Sequence, residues 1–184
     1  EIPEEVRAEM MLIVGNSHRQ LGHTKEADEI YRQLIDKYPS KEEAKDAQYQ
    51  RLINFYNTNA PTLLDEIDAY VASNPAPERA DQAKLLKAEH FYKEQKFAEA
   101  APIYTELRDS HLSPKLRAEA AYKLGWCYVQ LKDNVNIIDA FGYFVKAFPD
   151  SQQMPSALTQ RAIANQANKS YDAALDDLNM LLAK

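Results

Sequence analysis

The sequence has 184 residues, of which 45% are hydrophobic, and a formal net charge of −6. The apolar content is sufficient for a packed interior, whereas the negative charge argues against nucleic-acid binding, because nucleic-acid phosphates attract surplus Lys and Arg. Only four glycines occur and no alternating β-branched run is present, so the composition favours an all-α protein.

In chain order, the first recurring feature is a set of apolar residues spaced four, three and five apart: Ala27, Tyr31, Leu34 and Pro39. Equivalent sets follow, two of them without the proline: Leu63, Ile67, Tyr70 and Pro75; Ala100, Tyr104 and Leu107; Ile137, Phe141, Phe144 and Pro149; Ala174, Leu178 and Leu181. Spacings of four and three place each set on one face of a helix, which the proline ends. Each set therefore predicts an amphipathic helix.

Successive sets are offset by 36, 37, 37 and 37 residues, and a second helical segment precedes each one. One position in these preceding segments is Gly or Ala in four copies of five: Gly15, Arg51, Ala88, Gly125 and Ala162. Small residues there permit a close approach of two helices, and Arg51 is the exception. The predicted repeats are residues 8–41, 44–77, 81–114, 118–151 and 155–184.

This pattern resembles the tetratricopeptide repeat, with its aromatic, Leu-Gly, Tyr, then Ala, Phe and Pro signature, over residues 8 to 184. The resemblance implies two antiparallel helices per repeat and a concave groove lined mainly by the first helix of each. The predicted fold is an all-α, right-handed α-solenoid of about five helix-turn-helix repeats, or about ten helices, in a single domain over residues 1–184.

The repeats are longer than 34 residues, and residues at their junctions look like helix starts: Ser40 with Glu43, Pro77, Ser113-Pro114 and Ser151. We therefore expect the first helix of each later repeat to be extended by about a turn. The junctions are similar to those of bacterial envelope proteins, including periplasmic partners of the outer-membrane assembly and Tol-Pal machineries. That likeness favours a periplasmic or envelope-associated protein over a cytoplasmic one.

Signatures of catalysis, cofactor binding and membrane insertion are missing from the sequence. No HExxH, P-loop, dinucleotide fingerprint or GxSxG motif occurs, and Cys127 is the only cysteine. No apolar run approaches the roughly 18 residues of a spanning helix, and no signal-peptide pattern opens the chain. We expect a non-enzyme without metal or cofactor, and expect Cys127 to be buried and inert.

The family geometry implies that the first helices project polar and aromatic residues into the groove: Asn16, Arg19, Tyr49, Phe55, Tyr56, Glu89, Tyr92, Lys93, Tyr122, Lys123 and Trp126. Aromatic rings interleaved with Lys are suited to an extended peptide, since rings cover apolar side chains and ammonium groups meet carboxylates. The leading hypothesis is an adaptor that binds another protein or peptide in this groove. The alternative for each ring is packing between neighbouring helices.

One known family site, the clamp for C-terminal carboxylates of heat-shock chaperones, does not match. Asn16 fits its first-repeat Asn, but Leu12 replaces the Lys partner and Tyr49 replaces the second Asn. Gln82 and Leu86 stand in place of its last basic pair.

A second hypothesis concerns the ends of the array. The last predicted helix presents Ala174, Leu178, Leu181 and Leu182 without a polar capping helix, and residue 1 is Glu rather than Met. Further repeats of a longer protein, or self-association, would cover such a face. The runner-up function is thus a structural assembly module that acts through its ends or convex face. A small-molecule receptor would require the Tyr/Trp cluster to form a closed pocket.

Overall fold

The computed structural model describes residues 3–73 and 75–183, with only the backbone of Glu5, and these residues form ten α-helices and no strand. The helices are α1 (Glu4–Gln20), α2 (Thr24–Lys37), α3 (Glu42–Asn57), α4 (Leu63–Ala72), α5 (Pro77–Lys93), α6 (Phe97–Leu107), α7 (Pro114–Leu131), α8 (Asn134–Ala147), α9 (Met154–Ala167) and α10 (Tyr171–Leu182). The all-α prediction with about ten helices is confirmed. Lys184, the predicted end of the fifth repeat, lies outside the described residues.

The helices pack in sequence order within two compact units, Glu1–Leu86 and Lys87–Lys184, whose boundary falls inside α5. In the first unit, α3 packs against both α1 and α2. In the second unit, α9 packs in the same way against both α7 and α8. In these two cases the following first helix therefore covers the preceding helical pair. The single domain over residues 1–184 stays a prediction.

The connection between the two helices of each repeat contains one residue with positive φ. These residues are Gly22 (φ 78°), Asn59 (48°), Gln95 (58°), Lys132 (57°) and Lys169 (61°). A left-handed residue after a helix turns the chain back sharply and lets the last carbonyls of the helix accept hydrogen bonds. Only Gly22 adopts this conformation without a steric cost from a Cβ atom.

The predicted helix starts are confirmed at two junctions and wrong at two. Helices α5 and α7 begin at Pro77 and Pro114, and Ser113 caps α7 by accepting a hydrogen bond from the Leu116 amide. Helix α3 begins at Glu42 after Lys41, with no side-chain cap, so the capping box of Ser40 and Glu43 does not form.

Helix α9 likewise begins at Met154 rather than near Ser151. At both junctions a backbone turn intervenes: the Lys41 amide donates to the Tyr38 carbonyl, and the Ser151 amide donates to that of Phe148. The turn occupies the residues that would otherwise extend the helix. The extension by about a turn therefore occurs only in α5 and α7.

In the first and fourth repeats a glycine of the first helix lies directly against an aromatic ring of the second helix. A Cβ atom on Gly15 would lie 2.5 Å from the ring of Tyr31, and one on Gly125 would lie 2.5 Å from the ring of Phe141. Both rings are completely buried. Arg51, the exception at this position, instead turns toward α2, where its Nε donates to Asp28 Oδ1 at 2.8 Å.

None of the described helices is both long and apolar enough to cross a membrane.

Gly125→Ala is expected to destabilise the protein by about 1–3 kcal/mol, because the added methyl group overpacks the Phe141 ring. Gly142→Ala is the matched control, since its Cβ would meet only the Arg161 guanidinium, at 3.7 Å. That control should stabilise α8 by about 0.5–1 kcal/mol through helix propensity. Urea unfolding measures both changes, and equal effects would contradict the close approach at Gly125.

Candidate functional site: a cleft along α7

A cleft of about 750 Å³ runs along α7 in the second unit, and we call it the α7 cleft. It lies between the end of α5, the outer face of α7 and the connection from α8 to α9. Its lining residues are Tyr92, Lys115, Ala118, Glu119, Tyr122, Lys123, Trp126 and residues 147–153. Four of the predicted groove residues therefore meet in one place: Tyr92, Tyr122, Lys123 and Trp126.

One wall of the α7 cleft is aromatic and held by the core behind it. Trp126 meets Tyr122 and Phe141 edge to face, with ring centroids 6.2 and 6.4 Å apart. Tyr122 also contacts Phe144, at 5.4 Å, and its hydroxyl donates to Ser156 Oγ at 2.9 Å. Trp126 and Tyr122 remain half-buried, so each ring is fixed by the core and still presents a surface to the cleft.

Beside this wall, Lys123 is held by an ion-pair network. Its ammonium group pairs with Glu89 of α5 and, at 3.3 Å, with Glu119. Burial alone would lower the pKa of Lys123, but the hydrogen bond and charge of Glu89 outweigh it and leave that pKa raised. The same ammonium lies 5.7 Å from the ring centre of Tyr92. Lys123 thus already has intramolecular carboxylate partners.

Glu89 connects the network to the core. The Tyr104 hydroxyl, which is wholly buried with its ring, donates to Glu89 Oε1 at 2.8 Å. Burial, and then the negative charge of Glu89, raise the pKa of Tyr104. Glu89, a predicted groove residue, is not among the residues that line the α7 cleft; it is the acceptor that joins α5, α6 and α7.

Cys127 is buried under this network, in line with the sequence prediction. Burial, and then the nearby charge of Glu89, raise the pKa of its thiol to about 12. A thiol with such a pKa is protonated near neutral pH and is a poor nucleophile.

Several cleft residues were missed by the sequence reasoning. The cleft is also lined by the connection Phe148-Pro149-Asp150-Ser151-Gln152-Gln153 and by Lys115, which is exposed. The sequence did indicate this connection, because the residues by which the 37-residue period exceeds 34 lie at the junctions between consecutive repeats.

The predicted groove residues of the first unit are half-buried and make hydrogen bonds and packing contacts within that unit. Asn16 Oδ1 accepts a hydrogen bond from the Tyr31 hydroxyl at 2.7 Å, and Arg19 also bonds that hydroxyl. Tyr49 and Tyr56 pack against the buried cluster around Leu52.

The packing of Tyr49 against this cluster changes the pKa of its hydroxyl. Burial, followed by the neighbouring Tyr70, raises the pKa of Tyr49 to about 12. Phe55 joins the same cluster and lies under the Arg51 guanidinium, 5.2 Å from ring centre to Cζ. Lys93 is exposed on α5 outside the lining of the α7 cleft.

A smaller cleft of about 450 Å³ occupies the equivalent position of the second repeat. Four of its lining residues correspond in repeat register to residues of the α7 cleft: Lys45 to Glu119, Gln48 to Tyr122, Pro75 to Pro149 and Arg79 to Gln153. Gln48 stands where Tyr122 does, so this cleft lacks the aromatic wall. The α7 cleft is therefore the better candidate site.

In the part of the chain that the structure describes, no group of three or more His, Cys, Asp or Glu side chains is arranged to hold a metal ion.

Comparison with known families explains the repeated architecture. A family model for the tetratricopeptide repeat matches residues 85–152, and a second model with that description matches residues 9–41. The chain belongs to the tetratricopeptide repeat family. Tetratricopeptide repeat proteins are generally non-catalytic scaffolds for protein–protein interaction. No curated protein matches the chain in sequence.

Solved structures share the fold at low sequence identity. MamA 41-end from Desulfovibrio magneticus RS-1 is 15% identical, with a TM-score of 0.66 over 96% of this chain and 93% of that one. PilF from Pseudomonas aeruginosa is 19% identical, with a TM-score of 0.62 over 97% and 77%. The apo form of RapI is 11% identical, with a TM-score of 0.73 over 97% of this chain and 54% of RapI. At these identities the likeness shows the fold alone.

Glu89→Gln is expected to lower the free energy of unfolding by about 1–3 kcal/mol, because the half-buried Lys123 ammonium loses its main partner. Adding Lys123→Met should recover part of this loss, since no unpaired charge then remains. Urea unfolding of the single and double variants forms the test. Unchanged stability of Glu89→Gln would contradict the role given to this network.

Cys127→Ala is expected to make stability less sensitive to alkaline pH. The unfolded thiol ionises near pH 8.5, whereas the folded thiol, with its pKa of about 12, keeps its proton. Above about pH 9 the unfolded state binds fewer protons than the folded state at this thiol. The free energy of unfolding therefore falls, through this one group, by up to about 1.4 kcal/mol for each unit by which the pH rises.

Urea unfolding at pH 7, 9 and 10 measures that slope in the protein and in Cys127→Ala. Ala is a tolerated replacement, because Ala164 is buried at the equivalent position of the next repeat. Equal slopes of unfolding free energy against pH in the two proteins would contradict a protonated Cys127 thiol in the folded state.

Proposed function

We propose that the protein is a non-catalytic adaptor whose α7 cleft binds an extended segment of a partner protein. The observation that carries this proposal is the aromatic wall of Tyr122 and Trp126, which is fixed from behind by Phe141 and remains accessible in front. Rigid aromatic side chains contribute much contact area at a small cost in conformational entropy, and they dominate many protein interfaces.

The charges of the cleft favour particular side chains in the bound segment. Because Lys123 is paired with Glu89 and Glu119, it contributes little free positive charge. Lys115 at the rim supplies an ammonium group for an acidic residue of the ligand, and apolar ligand side chains cover Trp126 and Tyr122. The expected ligand is thus an extended segment that carries both apolar residues and a carboxylate.

The connection of residues 148–153 supports binding of backbone as well as side chains. Gln152 and Gln153 are exposed along the cleft, and their amide groups can both donate and accept hydrogen bonds. An extended peptide has unpaired backbone donors and acceptors that such side chains satisfy.

Trp126→Ala is expected to weaken binding of such segments at least about tenfold, which is the scale of an aromatic anchor at an interface. The probes are peptides selected by the protein from a random displayed library, labelled and titrated by fluorescence anisotropy. Trp126 is the only tryptophan of the chain, so its emission should also shift when a peptide binds the unmodified protein.

Tyr171→Ala is the matched control, because Tyr171 is an exposed aromatic residue of the same unit outside the α7 cleft. It should leave peptide affinity unchanged, and circular dichroism should show that both variants are folded. Selected peptides that bind Trp126→Ala as tightly as the unmodified protein would overturn the assignment of the cleft.

A further inference from the structure

The smaller cleft, in the first unit, contains a buried hydroxyl that makes no hydrogen bond within the described part of the chain. We call it the second-repeat cleft; its lining residues include Glu42, Lys45, Gln48, Tyr70 and Arg79. Tyr70 is 8% exposed, and its hydroxyl has no partner among the residues that the structure describes. Burying a hydroxyl without a partner is unfavourable, so this group requires an explanation, and an acceptor atom of a ligand supplies one.

The charged neighbours of this hydroxyl belong to α3 and α5. Burial raises the pKa of Tyr70, the positive charge of Arg79 lowers it, and the negative charge of Asp46 raises it. The Arg79 guanidinium and the Asp46 carboxylate are themselves an ion pair. A guanidinium and a phenol hydroxyl both donate hydrogen bonds. An acceptor that binds Arg79 inside the cleft therefore also lies near the Tyr70 hydroxyl.

Glu42 shows which chemical group fits between the two cations of the cleft. Its Oε1 lies 2.6 Å from Lys45 Nζ, and its Oε2 lies 3.6 Å from Arg79 Nη2, so one carboxylate bridges both cations. The Glu42 side chain is nevertheless 68% exposed, and ion pairs at such exposure contribute little because water screens them. A carboxylate from another chain is the same chemical group and can displace Glu42 easily.

The exposure of the charged side chains decides the sign of the ligand charge. The Arg79 side chain is only 23% exposed and is also held by Asp46, so a cation of a ligand cannot readily replace it. A ligand carboxylate replaces only Glu42, which is free to turn into solvent. The cleft lining also carries Lys45 and Arg79 against Glu42, because Asp46 lies outside it. The cleft therefore favours an anionic group.

We propose that the second-repeat cleft binds an aspartate or glutamate side chain of a partner protein, with the carboxylate between Lys45 and Arg79 in the position of Glu42. The Tyr70 hydroxyl donates a hydrogen bond to this carboxylate, and the half-buried amide of Gln48 is available to the neighbouring ligand backbone. Glu42 is an internal competitor that holds the two cations until the partner binds. This site is separate from the α7 cleft and does not depend on the function proposed for that cleft.

The probe is a short peptide of alternating Glu and Ser, blocked at both ends, with a counterpart in which Gln replaces Glu. It carries no apolar residue for the aromatic wall of the α7 cleft. In two-dimensional amide NMR, the acidic peptide should shift signals of cleft residues such as Lys45 and Gln48, and the Gln counterpart should not. Arg79→Gln should weaken binding at least about tenfold, the scale of a hydrogen bond to a charged group.

Two further variants have opposite expected effects. Tyr70→Phe should weaken peptide binding about tenfold without lowering the urea midpoint of unfolding, because the lost hydroxyl has no partner in the unbound protein. Glu42→Gln should strengthen binding about two- to fivefold, because the competing carboxylate is removed. Glu43→Gln is the matched control, since it makes the same charge change on α3 outside the cleft lining and should leave affinity unchanged.

Several results would overturn the proposal. These are acidic and Gln peptides that bind alike or not at all at millimolar concentration, and shifts confined to the α7 cleft. Tyr70→Phe binding as tightly as the unmodified protein would contradict the hydroxyl's role, and equal effects of Glu42→Gln and Glu43→Gln would contradict local competition. A Gln and Ser peptide with a free C-terminus should bind more weakly than the acidic probe; equal binding would make the ligand a chain end instead of a side chain.

Discussion

The interaction on which the rest of the structure depends is the insertion of a large second-helix side chain against a residue without a side chain on the first helix. At Gly125 the Phe141 ring occupies the space that a Cβ atom would need, and Tyr31 does the same at Gly15. In the first and fourth repeats this contact sets the distance between the two helices. The distance in turn decides which residues of the first helix remain accessible to solvent.

The α7 cleft is a consequence of that packing. Because Phe141 and Phe144 fill the interior beneath α7, Tyr122 and Trp126 lie against their edges and cannot sink further into the core. Lys123, between them in sequence, is drawn to Glu89 and Glu119. An apolar surface and a neutralised charge therefore lie next to each other on one helix, and an exposed connection faces both.

The same contact also accounts for what the ends of the array expose. Within a repeat, the contact between the small residue of the first helix and the large side chain of the second helix is buried. The other side of the second helix is buried only when the first helix of a following repeat packs on it. At α10 this leaves Leu178 accessible, and at α1 it leaves Met10 accessible.

The repeat period, the helical class and the buried face of the second helix in the first four repeats can be read from the sequence alone, since spacings of four and three are local properties of a helix. The sequence also indicated the aromatic residues of the α7 cleft. The contacts of these side chains emerge only from the packed structure: Tyr49 packs against the cluster around Leu52, while Trp126 packs on Phe141 and also lines the α7 cleft. Lys123 meets Glu89 across 34 residues of chain, and the helix starts at Ser40 and Ser151 give way to backbone turns. Such outcomes depend on distances between separate helices, which a local pattern does not encode.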